Sequence, residues 1–518
     1  MKNIFSSLLL LIIIMRSVNA QTPPDNWFLL DPKIDKVYGV SAERAYNELL
    51  KGKTSSTVIV AVIDGGVDPT QEDLKNVMYV NPKETAGNKI DDDKNGYVDD
   101  VNGWNFIGGA NGNIQYDTYE LTRVYKKLSD DFENDKASAT GNKDYTYYQI
   151  IKKKYDERAS ETLFNYRRYN FLLSRVNSLM DFSGVEEPTL SQIQELQHVP
   201  DSLTRVQESL IKIMGDGTTT SQLVNELQEQ IETMKDDAEY HFNPDFNPRE
   251  IVGDNYSDIL ERFYGNNNVA GVDAMHGTHV SGIIGADRSN NIGIKGIADN
   301  VKIITVRCVP DGDERDKDVG NSIRYAVDMG AKVINMSFGK GFSWNKKAVD
   351  DAVKYAADKD VLLVHGAGND NIDLDSEKVF PSKYYEDGGV APNWINVGAS
   401  RWDNEVAYFS DYGKTSVDIW APGMRIYSTV PGNSYRNLQG TSMASPVVAG
   451  VAAMIRSYFP SLTAVQTKEI LMKSVVKMKK KVTLPGTDDK KVKLKRISVS
   501  GGVVNCYKAV KLAEKKVK

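Results

Sequence analysis

A chain of 518 residues, 41% hydrophobic and 26% charged, can build a sizeable core, either as one large domain with insertions or as two or three smaller ones. Its net charge of −6 is small for that length and gives no support to a nucleic-acid partner. Two cysteines, Cys308 and Cys506, are too few for a disulfide framework or a cysteine zinc site, and they read as two buried thiols ahead of a single bridge.

The first residues carry Lys2, an apolar run from Ile4 to Met15 and the small-residue stretch SVNA, which together make a secretory signal peptide over 1–20. The run is short for a membrane span and no second long apolar run follows. The mature protein is therefore expected to be exported, periplasmic or extracellular, with no membrane span once the signal is removed. Next, TVIVAVI (57–63) ends at Asp64-Gly65-Gly66, a buried parallel strand running into a sharp turn. The loop NKIDDDKNGYVDDVNGWNF (88–106) alternates Asp91, Asp93 and Asn95, turns at Gly96 and continues with Asp99 and Asp100. That order copies the first half of an EF-hand loop, so these five residues are candidate calcium ligands, ahead of a merely acidic surface loop. Asn102 stands where the twelfth-position Glu would be, so the loop is no complete EF-hand.

From about 117 to 240 the chain is rich in Lys, Glu, Gln, Tyr and Leu and nearly free of strand-like runs. Amphipathic helices are predicted over 147–180 and 220–237, with Gly-Asp-Gly at 215–217 separating helical segments. No period recurs, so the region reads as an inserted helical hairpin or small bundle, 111–245, between two parts of one catalytic domain, 21–110 and 246–518. After residue 276 strands are expected at 301–309, 331–339, 360–369 and 395–400, alternating with helices at 319–330 and 345–360. Such alternation implies βαβ units and a mostly parallel sheet covered on both faces. The basic run 477–496 lacks interleaved aromatics and reads as an exposed hairpin around Pro485-Gly486, not as a surface on which bases stack.

The chemistry centres on AMHGTHVSGIIG (274–285). A zincin helix needs two His at i and i+4 with a Glu beside the first; His276 and His279 are at i and i+3 with no adjacent carboxylate. Elsewhere, NLQGTSMASP (437–446) places Ser442 at the start of an Ala-rich helical run, where free N–H groups and the helix dipole favour developing negative charge. Asp64, ending a buried strand, is placed to orient a neutral imidazole. Asn369 in VHGAGND follows a strand and small residues, so that its amide can donate to an oxyanion.

In the order Asp, His, Asn, Ser, the segments VAVIDGGVD (60–68), HGTHVSGIIG (276–285), NMSFG (335–339), HGAGN (365–369) and GTSMASP (440–446) resemble those of the subtilisin-like serine proteases, the subtilases. The resemblance covers roughly 25–105 and 245–515. It implies a three-layer α/β fold with a mostly parallel central sheet, here with the helical insertion added. It also implies Asp64 as triad acid, His276 as base, Ser442 as nucleophile and Asn369 as oxyanion donor, with His279 structural. Ser337, Phe338 and Gly339 match the segment that pairs with substrate backbone as an added strand, and Phe338 and Gly368 are expected near the side-chain pocket. Calcium stabilisation is a common family trait, and no organic cofactor is implied.

The chain departs from a minimal subtilisin in two places. Asp64 and His276 lie 212 residues apart because of the insertion. Residues 21 to about 56 are also too few for a folding pro-domain, so folding without one is expected. The reading is a secreted endopeptidase acting on proteins or peptides, with no nucleic-acid partner; the insertion reads as a packed appendage ahead of a site of substrate or partner contact or a lid on the cleft. Two alternatives stay open: an inactive scaffold that binds peptides along NMSFG, and a dedicated processing factor whose bundle recruits one partner protein.

Overall fold

The computed structural model describes residues 23–133, 143–185, 187–215 and 219–518; the signal-peptide segment lies outside them. In chain order the strands are β1 (Val58–Asp64), β2 (Gly103–Asn105), β3 (Val301–Arg307), β4 (Val333–Met336), β5 (Leu362–Gly366), β6 (Trp394–Ser400) and β7 (Ile419–Pro422). They are followed by β8 (Ile426–Val430), β9 (Ser434–Leu438), β10 (Val476–Lys477) and β11 (Gly502–Val503). All but β8 and β9, which pair with each other, form one nine-stranded sheet in the order β10-β11-β7-β6-β5-β4-β1-β3-β2. Every pairing in it is parallel except that of β10 with β11.

Strand β1 shows why the sequence demands two covering layers. Its side chains alternate between faces, and both faces are apolar. Val60 and Val62 join a core with helix α6 (Met275–Gly285) and helix α9 (Thr441–Tyr458). Ala61 and Ile63 join the opposite core with α7 (Asp316–Asp328) and α8 (Lys346–Asp358). Full burial of each Val or Ile stabilises by roughly 1.5–3 kcal/mol. Helix α9 is buried along nearly its whole length beneath the sheet, which suits its Ala- and Val-rich sequence. Parallel neighbours β1, β4 and β5 therefore end side by side, and the loops that follow them meet at one edge. The basic run near the C-terminus forms a hairpin, Val482–Thr483 against Lys491–Val492, and both cysteines are free and buried.

Between β2 and β3 the chain leaves the sheet to form α1 (Glu120–Glu133), α2 (Lys143–Ser183), α3 (Leu190–Glu195), α4 (Asp201–Gly215) and α5 (Thr220–Asp236). Helix α2 has 41 residues, about 60 Å at 1.5 Å per residue. It serves two small cores. Tyr148, Ile151, Tyr155 and Ala159 pack on Leu121, Val124 and Leu128 of α1, while Val176 and Leu179 pack on Ile193, Leu203 and Leu210.

The insertion is fastened to the sheet by charge. Residues Glu314 to Asp318, the charged segment ERDKD, are each no more than 5% exposed. Such burial requires partners; Asp316 finds Lys340, and Arg315, Lys317 and Asp318 find theirs in the segments that flank the inserted helices. Arg315 grips Asp117 through Nε–Oδ2 at 2.6 Å and Nη2–Oδ1 at 2.8 Å. Asp318 receives both terminal nitrogens of Arg249 at 2.7 and 2.8 Å and the Tyr264 hydroxyl at 2.6 Å. Lys317 reaches Asp254 at 2.6 Å and Glu261 at 2.8 Å. Breaking such a pair leaves one charge buried alone, at a cost of about 3–5 kcal/mol. Asp117→Ala is expected to lower stability by about that amount, read as a fall in the denaturation midpoint with unchanged slope.

Candidate active site

Asp64 closes β1 with its carboxylate buried, and it accepts the Gly65 amide at 2.8 Å. His276 opens α6 beside it, with Nδ1 at 2.8 Å from Asp64 Oδ1 and 3.0 Å from Oδ2. Both partners are acceptors, so Nδ1 carries the proton and Nε2 is left as the basic nitrogen. The imidazole side chain is 39% exposed and lines an open cleft with Ser337 and Phe338. Burial works against its protonation, but the charge of Asp64, their hydrogen bond and the charge of Asp273 outweigh it and raise the pKa above the usual histidine value. His279 lies in a different environment. It is fully buried against the β8–β9 hairpin, and its Nε2 donates to the Ile426 and Arg436 carbonyls at 3.0 Å each. Burial brings its pKa down to about 4, so it stays neutral.

Ser442 is the second residue of α9, where backbone N–H groups lack intrahelical partners. Its hydroxyl donates to the Ser337 carbonyl at 3.1 Å. Asn369, beyond β5, has its Oδ1 occupied by the Thr441 amide at 2.8 Å and the Thr441 hydroxyl at 3.2 Å. That fixes the amide orientation and leaves Nδ2 to donate elsewhere. Gly440 stands between the two donors at a φ of 153°, and a Cβ there would lie 3.5 Å from both Asn369 Nδ2 and Ser442 N. A side chain at position 440 would fill the space between these two N–H groups.

Ser337, Phe338 and Gly339 follow β4. The Ser337 hydroxyl accepts from Asn335 Nδ2 at 2.9 Å and donates to the Ser442 carbonyl at 3.0 Å. His365, buried and kept neutral by that burial, donates from Nε2 to the Phe338 carbonyl at 2.8 Å. Lys340 exchanges both backbone hydrogen bonds with Phe380 at 2.8 Å. One edge of the segment is thus satisfied from within. A cleft of about 990 Å³ runs along the segment and is lined also by Gly368, Asn369 and Ser442.

Sequence reasoning passed over Asp411, in the stretch FSDYG. It is fully buried, and its Oδ1 accepts the Asp370 and Ile372 amides at 2.9 and 3.0 Å, pinning the loop that carries Asn369. Its Oδ2 has no partner and lies against Gly368, 2.1 Å from where a Cβ would stand. Burial, aided by the charge of Asp370, pushes this carboxyl up to about 7. An aspartate in a stretch of mixed polarity gives no sequence signal of such burial.

The acidic loop is rearranged relative to the EF-hand order. Asp93 and Asp100 come together with Glu84, their ligand oxygens all within 4.8 Å of one another. Asp91 lies outside this group and accepts the Asn95 and Gly96 amides at 3.0 and 2.8 Å. Asp99 likewise accepts the Gly87 and Lys89 amides at 2.9 and 2.8 Å. Asn95 turns its side-chain nitrogen to Asp100 at 3.0 Å, and Asn81 donates to both Asp93 and Asp100. Glu84 Oε2 is buried with no partner, and burial pushes the Asp100 carboxyl up to about 6.

Residues 55–498 match the profile of the Subtilase family, Peptidase_S8. The chain belongs to that family. Among relatives, the chain is 43% identical over 183 residues to the thermophilic serine proteinase of Bacillus sp. (strain AK1), covering 35% of this chain and 42% of that protein. It is 39% identical over 183 residues to thermitase of Thermoactinomyces vulgaris (35% and 61%) and 38% identical over 200 residues to subtilisin DY of Bacillus licheniformis (38% and 68%). The chain thus spans less than half of the first of these relatives and about two thirds of the other two. As in subtilases generally, the sheet is large, mostly parallel and helix-covered. No helix of the described residues is long and apolar enough to cross a membrane.

Two outcomes follow from the geometry of this subtilase. The rate at which a fluorophosphonate phosphonylates Ser442, with loss of fluoride, is expected to rise with pH through the raised pKa of His276, since only the neutral imidazole accepts a proton. Asp64→Asn removes the charge that raises that pKa, so the rise moves to lower pH and the plateau falls by about 10⁴-fold. Asp411, whose folded pKa is raised, costs the fold stability as pH climbs from its unfolded value towards 7. Asp411→Asn keeps an acceptor oxygen and cannot ionise; its melting temperature is expected to exceed that of the wild type at pH 8 and to match it near pH 4.

Proposed function

We propose that this subtilase is an exported serine endopeptidase that hydrolyses peptide bonds through Asp64, His276 and Ser442. The observation that carries the reading is the unfilled space at Gly440 between Asn369 Nδ2 and Ser442 N, beside a nucleophile-bearing helix start and an Asp-oriented imidazole. A substrate strand pairs with the open edge of Ser337–Gly339. The Ser442 hydroxyl turns from the Ser337 carbonyl to His276, gives its proton to Nε2 and attacks the peptide carbonyl. Negative charge on the tetrahedral oxygen is held by Asn369 Nδ2 and Ser442 N, one such donor being worth about 2.7–4 kcal/mol. Asp64 remains ionised and stabilises the imidazolium, which then protonates the leaving amine. Water activated by the same imidazole hydrolyses the acyl-enzyme and frees Ser442.

Wild-type protein is expected to degrade casein, and Ser442→Ala to lower the rate at least 10³-fold. Fluorophosphonate labelling of Ser442 without casein cleavage would favour a dedicated processing factor. That second reading draws on the cleft wall contributed by the insertion.

The grouping of Glu84, Asp93 and Asp100 fits a hard divalent cation such as Ca²⁺. An unpartnered carboxylate oxygen and a burial-raised carboxyl are both relieved by a positive charge, and Asn81 and Asn95 can present amide oxygens to it. Bound there, calcium would tie the loop 84–100 to the sheet. Adding Ca²⁺ to EDTA-treated protein is expected to raise the melting temperature; in Glu84→Gln/Asp93→Asn the rise should vanish.

A further inference from the structure

The long helix α2 presents two adjacent faces. Tyr148, Ile151, Tyr155 and Ala159 form one, buried against α1. Tyr147, Ile150, Lys154 and Arg158, spaced three, four and four residues apart, form the other and line the cleft that holds Ser442 and Asn369. Tyr147 and Ile150 are 41% and 50% exposed, unusual for apolar side chains on a helix that buries its neighbouring face. Lys154 Nζ lies 5.3 Å and Arg158 Cζ 6.0 Å from the ring centre of Phe342, which shares the cleft. Neither cation pairs with a carboxylate among the described residues.

Phe342 is five residues beyond Ser337, whose carbonyl touches the Ser442 hydroxyl. Five extended residues span at most about 17 Å. A substrate strand running along Ser337–Gly339 therefore reaches α2 within about five residues of the bond to be cut.

Resting on the endopeptidase reading above, we infer that α2 supplies a substrate subsite, with Phe342 as floor and Lys154 and Arg158 as wall, which takes an acidic side chain of the peptide. Tyr147 and Ile150 cover the aliphatic part of that residue, and the two cations meet its carboxylate in a site partly shielded from water. The same cleft is lined also by Asp370 and Glu377 with Lys378. Selection for acid is thus confined to the one substrate position that packs against α2, and an acidic residue beside Asp370 and Glu377 is disfavoured. Because Lys154 and Arg158 are exposed and make no ion pair among the described residues, the preference weakens with added salt.

The test is cleavage profiling of the full chain on a peptide library, with Lys154→Glu/Arg158→Glu beside the wild type and Ser442→Ala as control. The expected result is enrichment of Asp and Glu at one position about three to six residues from the cut. In the double variant that preference should be lost or reversed, with at least fivefold lower kcat/KM on the acidic peptide and little change on its Gln counterpart. Identical profiles, with serine-dependent cleavage intact, would overturn the subsite and leave the endopeptidase reading standing. In the inactive Ser442→Ala background, binding of matched Glu and Gln peptides decides the subsite without turnover. Tighter binding of the Glu peptide that disappears in the triple variant supports it, and equal affinities overturn it. Absence of serine-dependent cleavage together with charge-selective binding would overturn the endopeptidase reading and keep the subsite.

Discussion

The ammonium of Lys340 is the interaction on which the rest of the cleft depends. It is buried, and it sits one residue beyond Ser337-Phe338-Gly339. Its Nζ lies 2.8 Å from Asp316 at the start of α7 and 3.5 Å from Glu120 at the start of the insertion, and it donates to the Glu314 carbonyl at 2.7 Å. Burial opposes its charge, yet the surrounding carboxylates outweigh that and raise its pKa. Glu120 in turn accepts the Trp344 amide at 3.0 Å, so the chain on both sides of Phe342 is held by the insertion. A single cation thus joins the segment that follows β4, the charged turn before α7 and the first inserted helix.

This arrangement changes what the insertion is. Helices packed only by apolar contact at one end would be an appendage to a self-sufficient protease. Here three of the five buried charged residues of 314–318, Arg315, Lys317 and Asp318, find their partners in the segments that flank the inserted helices, and losing those segments would strand them in a low-dielectric interior. The insertion and the sheet therefore complete one another. The proposed catalytic Asp64 and Asn369 sit where the parallel strands end, on β1 and after β5, with Ser337 beside them after β4. His276 and Ser442 arrive from α6 and α9 on one face, at the carboxyl edge where open α/β sheets place their ligands.

Much of this was legible in the sequence. Apolar runs bounded by Gly and Asp located β1 and β3 to β6 to within a few residues, and the 3.6-residue pattern located α2, α5, α7 and α8. The motifs around Asp64, His276, Asn369 and Ser442 carry local chemistry, and the structure gathers them at one edge. Long-range pairing was not legible. ERDKD carries no local sign of its burial, because partners such as Asp117 for Arg315 lie as far as 198 residues away. In the acidic loop the spacing did not show that Asp91 and Asp99 accept backbone amides, or that Glu84, outside the EF-hand order, comes beside Asp93 and Asp100. Asp411 gave no signal, since its role depends on a loop 41 residues earlier in the chain.

Hydrogen–deuterium exchange on the folded chain, comparing wild type with Lys340→Met, tests the coupling most directly. Loss of the ammonium is predicted to speed exchange together in three places: the segment 337–345, the first turns of α1 from residue 120, and the turn 313–318. Faster exchange confined to the immediate neighbours of residue 340, with α1 and the 313–318 turn unchanged, would contradict the account.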